Sequence, residues 1–327
     1  FYNLMNSASP VSTTETEDIY GVNSVFGQVS FGYKNMLYLD LTGRNDKSST
    51  LPEGNNSYFY PSVSTSFILS ELPGLKGSNV FSFMKLRLNY AEVGNDAPVY
   101  SLLQTYTQMA NNGTQGVFRV SDVLQNSNLK PERTKSWEAG LETKFLNNRF
   151  GFDLSLYRTL SIDQIMPVSI SPSSGFSQRY VNSGEIENKG IELALNATIV
   201  RSNDFTWDMQ VNWFRNKNTV KSLYEGVDNI QLVSEWDLSV NIVKGMSYGQ
   251  LRGTDFVWTG GKKTVDADGW MLISDASDVL IGSVLPDWNA GITTIFDYKG
   301  ISLSALVDIS KGGHLYSTDL KYGLATG

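Results

Sequence analysis

Cysteine is absent from this chain of 327 residues, which removes disulfide scaffolds, thiolate metal clusters and cysteine nucleophiles together. Histidine is nearly absent. His314 is the single copy, so a multi-histidine metal site is excluded. A basic excess is lacking too: 26 Lys and Arg stand against 33 Asp and Glu, a formal charge of -7. That sign is wrong for a protein that neutralises a phosphate backbone through its overall field, so nucleic acid is not an expected partner. No apolar run approaches the roughly 18 residues that a membrane-spanning helix requires. The chain opens at Phe1-Tyr2 without a basic stretch leading into an apolar one, and no signal peptide is expected within it.

What the sequence does contain is two-residue alternation, repeated in segment after segment. From Phe205 to Trp213 the residues Phe205, Trp207, Met209, Val211 and Trp213 share one face, and Thr206, Asp208, Gln210 and Asn212 share the other. Just upstream, Ile191, Leu193, Leu195, Ala197 and Ile199 alternate with Glu192, Ala194, Asn196 and Thr198. Leu141 and Phe145 oppose Glu138, Glu142 and Lys144; after Asn147-Asn148, Phe152, Leu154 and Leu156 oppose Asp153, Ser155 and Tyr157. Phe31 and Tyr33 turn through Lys34-Asn35 into Leu37, Leu39 and Leu41, and Ala290 to Tyr298 turn through Lys299-Gly300 into Ile301 to Ile309. Asn and Gly tolerate the positive φ of a tight hairpin. Four such hairpins, with further strands at Tyr58–Ser70, Phe81–Val93 and about Tyr248–Trp258, give on the order of eleven strands of spanning length.

Long polar connections separate the hairpins, at Asn45–Ser57, Asn95–Arg133, Ser161–Gly184 and Lys217 to about Val243. Short and long links alternate, which in an up-and-down meander gathers tight turns at one rim and long loops at the other, as in outer-membrane barrels. A soluble sandwich alternates as well. The polar face discriminates, because Arg44, Arg87, Glu138, Glu142, Asp153, Asp208 and Asn212 need water or ionic partners, and a wide hydrated lumen supplies both. On the other parity Leu39, Leu141, Leu193, Leu195, Trp207, Met209 and Trp213 are expected to face lipid.

Particular motifs carry a family likeness, in order along the chain. They are Arg44-Asn45-Asp46-Lys47-Ser48-Ser49 with Tyr58-Phe59-Tyr60-Pro61, Lys85-Leu86-Arg87-Leu88 with Val93-Gly94-Asn95, Leu129-Lys130-Pro131-Glu132 with Trp137-Glu138-Ala139-Gly140, Asn182-Ser183-Gly184 with Glu187-Asn188-Lys189-Gly190, and Pro286-Asp287-Trp288 with Gly312-Gly313. Together they resemble the SusC/RagA family of TonB-dependent transporters. The resemblance implies an all-β fold: a partial transmembrane antiparallel up-and-down barrel, about half of one of roughly 22 strands, with the plug domain expected outside residues 1–327.

It also implies a function, namely import of a large nutrient across the outer membrane of a Gram-negative bacterium. TonB would act through the plug, and a SusD-like lipoprotein would close the extracellular mouth over an oligosaccharide or peptide. A passive porin, a barrel enzyme and a soluble β-rich glycan-binding module stand as alternatives. For ligand contact the loop aromatics Tyr100, Tyr106, Phe118, Tyr180 and Trp236 offer stacking faces, unless they pack loop against loop or against the lid. Asp266-Ala267-Asp268-Gly269 resembles the opening of a calcium loop without its later ligands, so Asp266 and Asp268 are at most a minor ion site and no cofactor is expected. No nucleophile elbow accompanies Gly312-Gly313-His314, so a rim histidine is expected and not a catalytic one.

Overall fold

The computed structural model describes residues 17–274 and 279–326. Ten long strands form one antiparallel sheet: β1 (Val22–Tyr33), β2 (Leu37–Ser48), β3 (Ser57–Ile68), β4 (Phe81–Asn95), β5 (Glu132–Phe145), β6 (Phe150–Ile162), β7 (Glu185–Arg201), β8 (Phe205–Ser222), β9 (Pro286–Tyr298) and β10 (Ile301–Gly312). Their order in the sheet is their order in the chain, so the topology is an up-and-down meander. At the short-turn rim the backbone adopts positive φ at Lys34 and Asn35, from Leu146 to Asn148, and at Lys299-Gly300. The β3–β4 link lies on the same rim and is longer, with a single 3-10 turn at Leu69–Glu71 and an ion pair from Lys76 to Glu71.

Register shows why the sheet has two chemically different faces. One hydrogen-bonded row runs Tyr33, Leu37, Phe67, Leu86, Leu141, Leu154, Leu193, Trp213, Ala290, Ile309. It crosses all ten strands without a polar residue. The adjacent row, of opposite parity, runs Tyr38, Ser66, Arg87, Gly140, Ser155, Glu192, Phe214, Asn289 and Ser310. Cross-strand partners share a face, so apolar and polar parities stay separated across the sheet. Among the described residues no second sheet covers the apolar side: Leu195 is 41% exposed, Leu156 49% and Leu303 65%. An aromatic band lines the short-turn edge of that face, where Phe145 packs on Phe81 and Phe152, and Phe296 stacks on both Phe205 and Trp207.

The eleventh expected strand is not in this sheet. Residues near Tyr248–Trp258 contribute only Gln250–Gly253 to a separate four-stranded sheet, with Asn229–Glu235, Leu238–Val243 and Val279–Ser283. The cause is legible in retrospect. One parity of that stretch reads Gly249, Leu251, Gly253, Asp255, Val257, too little apolar surface to stand in hydrocarbon, and Leu251 is buried inside the loop. The β8–β9 connection is therefore a single excursion, 223–285. It starts later than expected, because β8 continues as strand to Ser222. The other loops are structured as well: Tyr106–Asn112 pairs with Gln115–Val120, and Ile165–Ser169 pairs with Gln178–Asn182, which adds Val123–Leu124. A short helix, α1 (Thr318–Thr326), follows β10.

Two small cores lie at the long-loop rim. Leu51, Tyr58, Ala97 and Leu129 are buried together with Tyr60, Ile165 and Tyr180 packed against them, and Ile186, Val220 and Ile242 are buried under Leu223 and Ile230. Loops from distant parts of the chain thus bury apolar side chains against one another, and side-chain amides bridge them. Asn55 donates to the Leu129 carbonyl, Asn126 to that of Tyr180, and Asn182 both accepts from the Lys130 N–H and donates to its carbonyl.

Candidate functional site

All seven residues expected on the polar face lie there by register, and all seven expected to face lipid lie on the apolar one. The polar face carries an ion-pair network. The Arg87 guanidinium on β4 grips Asp153 on β6 in bidentate fashion, at 2.6 and 3.0 Å, and also lies 3.7 Å from Glu142. Glu142 pairs with Lys85 at 2.9 Å and Lys144 at 3.3 Å. Arg87 spans an entire intervening strand, and Gly140 makes this possible: a Cβ there would meet the guanidinium at 2.7 Å. Planar bidentate pairing fixes Arg87 better than a lysine could be fixed.

A recess of about 430 Å³ joins Arg87, Asp153 and Ser155 to Glu192, Asn212 and Phe214. Three of the expected residues meet here, and the others sit elsewhere on the same face. Asp208 accepts from Thr198 at 2.6 Å. Arg44 lies near the long-loop rim, bonded to Asp46 at 2.8 Å and to Ser24, where Asp46 also accepts from the Tyr60 hydroxyl.

The sequence reading overlooked an uncharged cluster above the recess. Tyr157 donates to Asn216, whose amide donates to Asn188; Asn218 donates to Asn188 as well and accepts the Tyr248 N–H at 2.7 Å. The Tyr157 ring lies against Gly190, where any Cβ would collide with it. An aromatic face beside amides matches ligands rich in hydroxyls or peptide groups. The available signal was Asn recurring on one parity of β8, at Asn212, Asn216 and Asn218, together with Gly190 on the neighbouring strand.

The loop aromatics divide. Tyr180 is half-buried and packed against the Leu129 core, the loop-against-loop packing that stood as the alternative to ligand contact. Tyr106 and Phe118 stand exposed on the loop hairpin, and Tyr100 is exposed with its hydroxyl accepting from the Ile19 N–H. Trp236 is exposed at a turn, edge-on to Tyr322 and capped by Lys321 at 4.9 Å; the Asp237 carboxylate beside it holds that ammonium above its ordinary range. Asp266 Oδ1 accepts the N–H groups of Asp268 and Trp270, the pattern of a side chain bracing a turn. Among the described residues no three His, Cys, Asp or Glu groups converge to hold a metal. His314 lies at the loop rim, its N–H bonded to the Ser283 carbonyl.

Comparison with known proteins is consistent along the chain. The family model for the TonB dependent receptor-like β-barrel matches residues 1–298. TonB-dependent receptor P26 of Formosa agariphila is 30% identical over 347 residues, covering 98% of this chain and 35% of that protein. TonB-dependent receptor SusC of Bacteroides thetaiotaomicron is 28% identical, covering 90% of this chain and 31% of that one. Among solved structures, the RagAB peptide transporter shares the fold, with a TM-score of 0.74 at 23% identity over 88% of this chain and 33% of its own. The chain spans about a third of the length of the curated relatives it matches.

Proposed function

The chain belongs to the TonB-dependent receptor-like β-barrel family, and from that premise we propose that it is an arc of the wall of an outer-membrane importer in a Gram-negative bacterium, a transporter and not an enzyme. Its apolar face meets lipid and its polar face lines a hydrated lumen. The observation that carries this reading is the separation of the two rows across ten strands, with the ionic network of Arg87, Glu142 and Asp153 all on one side. Unpaired strand edges are prohibitive in hydrocarbon, so β1 and β10 join further strands to close the ring. A barrel that wide needs a plug, and TonB acts on it.

The chain has no cysteine, which permits a direct test. Single cysteines at Asn196, Gln210, Leu195 and Met209 in the complete receptor are treated in outer-membrane vesicles with a membrane-impermeant maleimide. Labelling is expected at Asn196 and Gln210 and not at Leu195 or Met209. Equal labelling at all four would end the reading.

The cargo is an oligosaccharide or oligopeptide, taken up beneath a SusD-like lipoprotein lid seated on the long-loop rim. Support comes from the cluster of Tyr157, Asn188, Asn216 and Asn218, suited to sugar or amide ligands, from exposed Tyr106, Phe118 and Trp236 at the rim, and from the names SusC and RagAB peptide transporter among its likenesses. Co-purification of a lipoprotein with the tagged receptor, and growth of a deletion strain on single glycans or peptides, test lid and cargo separately.

A further inference from the structure

On the apolar face, Ala139 lies in register between Leu88 and Leu156. A small residue between two large ones leaves a depression, and one of about 560 Å³ is present. Its floor is Leu88, Ala139 and Leu156, its wall is the Tyr90–Trp137 pair at 5.3 Å, and Arg158 closes its upper end with the guanidinium 5.9 Å from the Trp137 ring. An apolar trough capped by a cation suits an acyl chain whose headgroup is anionic.

The surroundings of Arg158 point the same way. Lys189 is its direct partner across β6 and β7, and Lys217 is the direct partner of Lys189 across β7 and β8. Like charges directly opposed are destabilising. A single carboxylate answers them: Glu187, its side chain only 4% exposed, takes Arg158 at 2.6 Å, Lys189 at 2.7 Å and Lys221 at 3.4 Å. Arg215, one step below on the same face, and Lys217 have no ion pair among the described residues. Arg158 stands level with its cross-strand partner Trp137, and Lys189, Arg215 and Lys217 stand past Trp213, where an aromatic girdle marks the hydrocarbon boundary, so their field falls on headgroups and not on the lumen.

We infer that this patch is a binding site for a phosphorylated, multi-acyl lipid of the outer leaflet, with an acyl chain in the Ala139 trough and phosphate on Arg158, Lys189, Arg215 and Lys217. The inference rests on the proposed membrane orientation of the apolar face.

The test uses the complete receptor in detergent, exchanged against diphosphorylated lipid A, its dephosphorylated form, or inorganic phosphate, with retained ligand read by native mass spectrometry. Each surface cation contributes about a factor of five toward an anionic lipid. The K189Q/R215Q/K217Q triple variant should therefore retain about a hundredfold less phosphorylated lipid. A139L, which fills the trough and leaves every charge in place, should lower retention as well, and the dephosphorylated lipid should bind weakly to all forms. Retention that ignores the phosphate, or that survives both variants, overturns the site, as does inorganic phosphate binding as well as the lipid. Folding of each variant is read from its heat-modifiable electrophoretic mobility. The cysteine labelling described above reports the orientation independently, so failure of the lipid site and failure of the membrane reading are distinguishable.

Discussion

A single arginine placed at successive heights on the apolar face should report the membrane's profile. Strand residues rise about 3.3 Å each, and at a tilt of about 40° each gains roughly 2.5 Å along the membrane normal. Counted from Phe205 at the short-turn rim, Met209 stands roughly 10 Å up, Leu195 (partner of Val211) roughly 15 Å, and Leu193 (partner of Trp213) roughly 20 Å, within an apolar band about 25 Å tall. Arginine at a midplane lipid-facing site costs about 2–4 kcal/mol, falling to about 0–1 near the interface. Met209→Arg and Leu195→Arg should therefore each cost about 2–4 kcal/mol, and Leu193→Arg about 1 kcal/mol. Asn212→Arg, on the opposite face beside the recess of Arg87 and Asp153, should be close to neutral. Equilibrium unfolding of the complete barrel from lipid vesicles in denaturant gives the four values. Equal losses at Leu193 and Met209, or a loss at Asn212 as large as at Met209, would refute the assignment of faces and heights.

Gly140→Val should displace Arg87 from Asp153, because its Cβ would sit 2.7 Å from the guanidinium; the pair is partly hydrated, so the loss expected in thermal unfolding is about 1–2 kcal/mol. Tyr157→Phe removes the bond to Asn216 and should cost little stability, about 1 kcal/mol, while weakening cargo binding by calorimetry. Equal affinity of the variant and the parent would remove Tyr157 from the ligand path. Leu129→Ala opens a cavity in a fully buried loop core, at about 2–5 kcal/mol, and should make the connections at 96–131 and 163–184 sensitive to external protease. Trp236→Ala, at a residue 60% exposed, should leave protease resistance unchanged and lower lid or cargo affinity.

The spanning strands were legible because a sheet wetted on one side writes its burial into the sequence at period two. Phe205 to Trp213 is the plainest instance, and Asn147-Asn148 and Lys299-Gly300 marked their turns through residues that accept positive φ. Loop architecture was not legible. Leu51, Ala97 and Leu129 are far apart in the chain, and no local pattern announces that they will share a core. Tyr180 stayed open between two roles for that reason: an aromatic in a polar loop reads equally as a platform or as loop packing until the partner it packs on is known. Gly140 and Gly190 are similar cases, since each is explained only by the side chain that a neighbouring strand lays across it.

Parity alone also hid the cationic patch, and the geometry of the sheet explains how. The row Val29, Leu41, Val63, Tyr90, Trp137, Arg158, Lys189, Lys217 keeps to one face throughout, yet it is apolar at one end and charged at the other. Rows run perpendicular to strands, and strands tilt in a barrel, so a row climbs as it crosses the sheet. The rim residues measure the climb. The apolar row that begins beside the turn at Tyr33 and Leu37 reaches β8 at Trp213, eight residues beyond Phe205. A row starting four residues higher, at Val29, therefore reaches the height of Trp213 at Arg158 on β6 and leaves hydrocarbon at Lys189 on β7. In the proposed orientation Lys189 and Lys217 share the lipid-facing parity without standing in lipid, and Glu187 ties Lys189 to Arg158 at the edge of the apolar band. Height above the short-turn rim, read together with parity, is what separates the proposed lipid-facing role of Leu195 from the proposed headgroup contact of Lys217.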